Sequence, residues 1–151
     1  MPVDSPDMPT DFRKLIGLHA TTVADGHAVM ELEIGAEHLN SQGFLHGGIV
    51  ATMIDHAGGI AGSLCSETGS MRKAVTVSLT TSFLAPVSSG KITARSRKRP
   101  GGRSIYVSTT EITDETGRLI AVGEASYRYI SRKTGTPLDP DAGRKPAEPG
   151  L

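Results

Sequence analysis

The stretch from Asn40 to Asp55, with His46, Gly47 and Gly48 between them, holds the residue types most suited to chemistry. His46-Gly47-Gly48 stands where a long apolar helix should begin. The first N–H groups of a helix lack partners inside it and carry a partial positive charge. Glycine there lets another group come within hydrogen-bonding reach, which suits an oxyanion or a polarised carbonyl. An ordinary loop entering an ordinary helix is the plainer reading, and His-Gly-Gly alone does not exclude it. Asp55 adds a carboxylate in mid-helix, next to Ile54 and on the margin of the apolar stripe. Asp is a poor helix former there, and a buried carboxylate is costly unless paired; a solvated surface Asp is the alternative. His46 and Asp55 lie nine residues apart. At about 100° and 1.5 Å per residue they face opposite sides of the helix, about 13 Å apart along its axis. One chain's Asp55 therefore cannot easily serve its own helix N-terminus. If the two cooperate, they meet across a subunit interface, and a dimer with antiparallel helices makes this happen twice.

The helix that must position them is Gly47–Ser66. Ile49, Val50, Met53, Ile54, Ala57, Ile60, Ala61 and Leu64 recur at helical spacing along it. Gly58, Gly59 and Gly62 weaken such a helix by roughly 1 kcal/mol each relative to Ala, which points either to a sheet wrapped closely around it or to a frayed end. Asp11–Leu15 forms a candidate short helix. Residues 16–24 and 27–34 read as strands joined at Asp25-Gly26, a hairpin signal, with Val29, Glu31 and Glu33 on one face of the second and Met30, Leu32 and Ile34 on the other. Four further strand-like runs follow at 73–86, 90–99, 103–113 and 118–130. They are divided by Pro86 to Gly90, Pro100-Gly101-Gly102 and Asp114 to Gly117. In the first of these, Val75, Val77, Leu79, Thr81 and Phe83 alternate with Thr76, Ser78, Thr80 and Ser82. Short connections favour antiparallel neighbours, so these four runs read as a meander. The expected class is α+β, a curved antiparallel sheet packed on one long helix.

At 151 residues the chain suits one domain, expected over 11–131, with tails at 1–10 and 132–151 rich in Pro, Gly and charge. Sixteen basic and sixteen acidic side chains give no net pull toward nucleic acid or membrane. No apolar run approaches the roughly 20 residues of a bilayer span, and the N-terminus lacks signal-peptide character. A single cysteine, Cys65, excludes an intrachain disulfide and a multi-cysteine zinc site. A cytoplasmic setting is expected. His19, His27, His38 and His56 are too scattered for metal-ligand spacing, and no cofactor is expected.

With these residues in place a resemblance emerges. Asn40, His46-Gly47-Gly48 and Asp55, followed by Val77 to Pro86 and by Gly117 to Ala125, resemble the hotdog-fold acyl-CoA thioesterases of the phenylacetic acid degradation type, over residues 15–130. The resemblance implies a five- or six-stranded sheet wrapped around a central helix, dimers that pair into tetramers, and thioester hydrolysis without metal. Asp55 matches the family's catalytic acid, acting as nucleophile or as general base toward water. The Gly47 N–H matches the donor that polarises the thioester carbonyl, while Asn40 and His46 shape the site from the Gly47 side. Thr76 aligns with a hydroxyl residue that positions water or the carboxylate. By this resemblance Asp55 and Thr76 come from one subunit, and Asn40, His46 and Gly47 from the other. Gly48 and Phe83 are expected near the substrate.

Arg95, Arg97, Lys98, Arg99 and Arg103 form a dense basic cluster. Arg99, Gly102, Arg103 and Ser104 are carried over as contacts for the phosphates or pantetheine of coenzyme A. A solvated edge strand guarding against aggregation is the alternative, and the lack of interleaved aromatics argues against nucleic acid. Phe83 and Leu84 fit either an acyl channel or the core. Beside the enzyme stands a second hypothesis, a non-catalytic binder of acyl-CoA or acyl-carrier protein on the same scaffold.

Overall fold

The computed structural model describes residues 11–64 and 71–130. The expected tails and Cys65 lie outside the described residues. In chain order the elements are α1 (Asp11–Leu15), β1 (His19–Ala24), β2 (His27–Glu33), a 3-10 turn (Ala36–His38), α2 (Gly47–Ser63), β3 (Ala74–Phe83), β4 (Lys91–Lys98), β5 (Ile105–Asp114) and β6 (Leu119–Tyr129). All six strands form one antiparallel sheet in the order β1-β2-β4-β5-β6-β3. This is the expected α+β architecture, with α2 against one face of the sheet.

Two features depart from the sequence reading. The last four strands are not a single meander: β4, β5 and β6 are, but β3 lies at the far edge, paired only with β6. The connection through Pro86 to Gly90 is a crossing from that edge to the sheet centre, not a hairpin. Strand β3 also does not alternate as written. Its register slips between Thr76 and Ser78, leaving Val77 as a bulge residue. Directly opposed residues share a face, and Thr76, Leu79 and Phe83 lie opposite Tyr127, Ala125 and Ala121, on the helix side. The bulge therefore brings Thr76 to the same face as Leu79 and Phe83, which strict alternation had separated.

The core lies between α2 and the sheet. Met53, Ile54, Ala57 and Ala61 from the helix meet Met30, Leu32, Ile92, Ala94 and Ile112 from the strands, all fully buried. The glycines of α2 have a concrete cause. A Cβ on Gly58 would collide with the Tyr127 hydroxyl, and one on Gly62 with the Tyr106 ring. Sheet hydroxyls in turn reach the helix carbonyls: Tyr127 to Asp55 at 2.7 Å, Ser108 to Gly58 at 3.0 Å, Tyr106 to Gly59 at 2.8 Å and Tyr129 to Gly62 at 2.6 Å. The three tyrosine rings stack on each other, Tyr106 standing 4.9 Å from Tyr127 and 4.8 Å from Tyr129. Each hydroxyl contributes about 1 kcal/mol net, and together they fix the rotation of α2, and so the direction of Asp55.

Candidate functional site

The residues expected to do chemistry fall into two separate hollows of the single chain. The first lies at the N-terminus of α2. The loop before it is folded by its own side chains. Asn40 Oδ1 accepts from the N–H of Gln42 at 2.9 Å and of Phe44 at 3.1 Å. His46 is the helix N-cap, its Nδ1 accepting from the Gly48 N–H at 2.9 Å. The His46 carbonyl takes the N–H of Ile49 at 3.0 Å and of Val50 at 3.4 Å. Of the first-turn donors only the Gly47 N–H is left without an acceptor among the described residues. Gly48, expected near the substrate, has its amide already committed to His46. Buried His38 supports the loop from below: its Nδ1 accepts from the Gly35 N–H at 2.8 Å, its Nε2 donates to the Ile16 carbonyl at 2.9 Å, and its own carbonyl accepts from the His46 N–H at 2.8 Å.

Gly47 and Asn40 border a hollow walled by Phe44, Leu45, Val50, Phe83 and the run Leu84 to Val87, with Ile120 behind. The Phe83 ring lies against Gly47, 3.1 Å from where a Cβ would stand. Phe83 is 61% exposed and Leu84 54%, so these two are pocket wall and not core.

The second hollow surrounds Asp55, which is half-buried. Thr76 Oγ1 donates to Asp55 Oδ1 at 2.7 Å, the contact made possible by the Val77 bulge. Tyr127 closes the base of the hollow, its hydroxyl on the Asp55 carbonyl. Burial, then the nearby Asp55 charge, pushes the Tyr127 phenol up, so it stays a neutral donor at any physiological pH. Burial likewise raises Tyr106 to about 12. Arg72 and Lys73 rim this hollow, and the Arg72 guanidinium stacks 3.5 Å over the Tyr129 ring. Sequence reasoning missed both cations because it sought basic residues only in the denser run at 95–103. It missed Tyr127 because nothing in a strand pattern tells which tyrosine reaches the helix. His56 lines the hollow and bonds back to the Thr52 carbonyl at 3.2 Å.

No residue lines both hollows. Thr76 and Asp55 are brought together, as are Asn40, His46, Gly47 and Phe83, but the two groups are not. The coenzyme A candidates join neither group directly. Arg99 borders a groove on the outer sheet face with His27, Arg95 and Arg97. Ser104 accepts from the Tyr129 N–H at 2.9 Å, and the next residue, Ile130, donates to the Lys73 carbonyl at 2.9 Å. Those pairings set the loop bearing Gly102, Arg103 and Ser104 at the Asp55 end of the sheet. Among the described residues no group of His, Cys, Asp or Glu is placed to hold a metal, and no helix is long and apolar enough to cross a membrane.

Comparison with known proteins agrees with this architecture. The family model of the thioesterase superfamily matches residues 42–121. The human acyl-coenzyme A thioesterase 13 is 31% identical over 118 residues, spanning 75% of this chain and 81% of that protein. The 1,4-dihydroxy-2-naphthoyl-CoA hydrolase of Listeria monocytogenes is 27% identical over 80% of this chain and 97% of its own length. Among solved structures, a thioesterase from Haemophilus influenzae superposes with TM-score 0.72 at 28% identity, covering 80% of this chain and 82% of that one. The phenylacetic acid degradation protein PaaI from Thermus thermophilus, as an Asn-to-Asp mutant, superposes with TM-score 0.70 at 26% identity, covering 80% and 100%. The chain belongs to the thioesterase superfamily, hotdog-fold proteins of the kind that includes PaaI, and is a thioester hydrolase.

Proposed function

We propose that the chain hydrolyses acyl-CoA thioesters at sites completed by two subunits, Asp55 and Thr76 of one facing Gly47, Asn40 and His46 of its mate. The observation that carries this reading is the separation just described: an uncommitted amide at Gly47 and a carboxylate at Asp55, in hollows with no common wall. Strand β3 supports it. It is a sheet edge whose backbone is unpaired on one side, with Val75 49%, Val77 58% and Leu79 37% exposed. Such an apolar edge is a place where a second chain pairs. Edge-to-edge pairing about a two-fold axis sets two α2 helices antiparallel and brings each Asp55 toward the Gly47 of the partner subunit. In this proposal the dimers pair further into tetramers without altering this arrangement.

In the reaction the thioester carbonyl accepts from the Gly47 N–H, so negative charge on its oxygen develops against a helix N-terminus. Asp55, oriented by Thr76, takes a proton from water as the hydroxide adds to the carbonyl carbon; the tetrahedral centre collapses, the C–S bond breaks and the proton passes to the departing thiolate. Alternatively the carboxylate attacks the carbonyl carbon directly, the C–S bond breaks to release the coenzyme A thiolate, and water then opens the resulting anhydride to free acid and Asp55. Single turnover in oxygen-18 water tests for the second route, since label enters Asp55 only when water opens an anhydride at the Asp55 carboxyl carbon. Arg99, Arg103, Gly102 and Ser104, with Arg72 and Lys73 nearer the carboxylate, are the contacts proposed for the nucleotide end of coenzyme A.

Subunit mixing tests the reading. Asp55→Ala and Gly47→Pro each destroy a different half; proline removes the amide at a helix position that tolerates it. A mixed dimer carries one site with both lesions and one intact site. Dissociating and reassociating equal amounts should restore about a quarter of the wild-type rate of thiol release. A mixture as inactive as its parents would refute the shared site, and saturable CoA-ester binding without thiol release would favour the binding-protein alternative.

A further inference from the structure

We infer that Tyr127 is a positioning residue for this hydrolysis: with Thr76, its partner across the sheet, it grips Asp55 at both ends and aims the carboxylate. The inference rests on the reading above, in which Asp55 is the reacting carboxylate. Thr76 of β3 and Tyr127 of β6 are directly opposed in the register, on the helix side of the sheet. Thr76 Oγ1 donates to the Asp55 carboxylate at 2.7 Å, and the Tyr127 hydroxyl donates to the Asp55 main-chain carbonyl at 2.7 Å. One cross-strand pair therefore fixes both the backbone of this residue and the torsions of its side chain. The carboxylate bond alone would leave the group free to shift with its turn of helix. The carbonyl bond alone would leave it free to rotate about Cα–Cβ.

The Tyr127 bond is not needed to satisfy the carbonyl. Asp55 lies well inside α2, and an α-helix supplies that oxygen with the N–H four residues on, at Gly59. Gly62 is the opposite case. It lies in the last turn of α2, where carbonyls run out of helical donors, and the Tyr129 hydroxyl serves in their place at 2.6 Å. The Tyr127 hydroxyl is an extra donor, and the helix gives something up to admit it. A Cβ at position 58 would meet that hydroxyl, so Gly58 stands there despite its poor helix propensity. Tyr127 is 2% exposed and its ring is stacked 4.9 Å from Tyr106, so the hydroxyl is held in place.

The test sets Tyr127→Phe beside Tyr129→Phe. Each removes one hydroxyl and keeps its ring. Thiol release is followed on the oligomer with whichever of phenylacetyl-, butyryl- and hexanoyl-CoA the wild type turns over fastest. Tyr127→Phe should lower kcat by about five-fold at unchanged KM, the mark of an interaction that serves the transition state. It should lose little melting temperature, since Gly59 still serves the carbonyl. Tyr129→Phe should do the reverse, losing more melting temperature and keeping kcat. Combined with Thr76→Val, Tyr127→Phe should cost less than the product of the two single losses, because a carboxylate loosened at one end has less aim to lose at the other. A wild-type kcat in Tyr127→Phe, equal rate losses in the two phenylalanine variants, or strictly multiplicative losses with Thr76→Val would each overturn the inference. Asp55→Asn run alongside separates it from the reading beneath. An Asp55→Asn rate near wild type defeats both, whereas an inactive Asp55→Asn beside a full-speed Tyr127→Phe defeats the inference alone.

Discussion

Along α2 the polar groups divide at Ala57. Behind it, the carbonyls of Gly58, Gly59 and Gly62 are each claimed by a sheet hydroxyl, and the glycines exist so that tyrosine can come that close. Ahead of it Tyr127 claims the Asp55 carbonyl in the same way, but the Gly47 amide and one carboxylate oxygen of Asp55 have no partner among the described residues, and exposed Phe83 and Leu84 wall the hollow at Gly47. The same helix is thus an anchor at one end and a reagent at the other. Reactive groups need fixed direction and unspent hydrogen-bonding capacity together, and a single helix supplies both: buried hydroxyls hold its carbonyls from Asp55 to Gly62, while the Gly47 amide and one Asp55 oxygen stay uncommitted among the described residues. The contrast can be broken at either end.

The largest effect is expected at the front. Asp55→Asn keeps the shape and the Thr76 contact but removes the base or nucleophile. It should lower kcat by about 10²–10⁴-fold while thermal stability and oligomeric state hold. A steady-state thiol-release assay on the purified variant checks this, and a rate near wild type would remove Asp55 from the chemistry.

At the rear the expected loss is of stability. Gly62→Ala drives a methyl into the Tyr106 ring, which is stacked and cannot retreat. Overpacking of this kind costs about 1–3 kcal/mol, read as a drop of several degrees in the melting temperature. Gly48→Ala, whose methyl meets only the edge of the exposed His46 ring at 3.0 Å, should cost much less. Equal losses would show that close packing does not distinguish the two ends.

Thr76→Val tests how the front half is aimed. It removes the 2.7 Å bond to Asp55 and keeps the volume. A net bond of about 1 kcal/mol corresponds to about five-fold in rate, so kcat should fall by roughly that factor and Thr76→Ser should restore it. If serine fails to rescue, the hydroxyl is not what matters.

These ends were not equally legible in the sequence. The helix, its start at Gly47 and the hairpin at Asp25-Gly26 follow from periodicity and turn chemistry, which are local. That Asp55 and Gly47 could not meet within one chain followed from the helical period alone. The crossing that places β3 at the sheet edge was not legible, because a seven-residue break such as Leu84 to Gly90 serves a hairpin and a crossing equally well. Nor was the bulge: Val77 continues the alternation perfectly, and only pairing with β6 reveals that it is the extra residue. Three glycines announced a close approach, but the identity of what approached, Tyr106 and Tyr127, depends on register, which has no signature within α2.

The smallest expected effect concerns how the front half's wall is held. In place of buried hydroxyls it has an exposed clasp: Asp114 accepts from Thr116 Oγ1 at 2.7 Å, from the N–H groups of Thr116 and Arg118, and from Arg118 Nε at 3.0 Å. Arg118 then reaches across to the Pro86 carbonyl. The Thr116 hydroxyl foremost, and then the Arg118 contacts, hold the Asp114 carboxyl down at about 2. A carboxyl whose folded value is depressed adds stability above its unfolded value of roughly 3.9 and loses it as pH falls through the folded one. The melting temperature of the wild type should therefore exceed that of Asp114→Asn from neutral pH down to about 4, and the gap should close between about 4 and 2. The clasp is solvent-facing, so added salt should shrink the gap as well. A gap that persists unchanged at pH 2 would mean that Asp114 holds the Pro86 wall by shape and not by charge, and that the front of the helix is as rigidly framed as the rear.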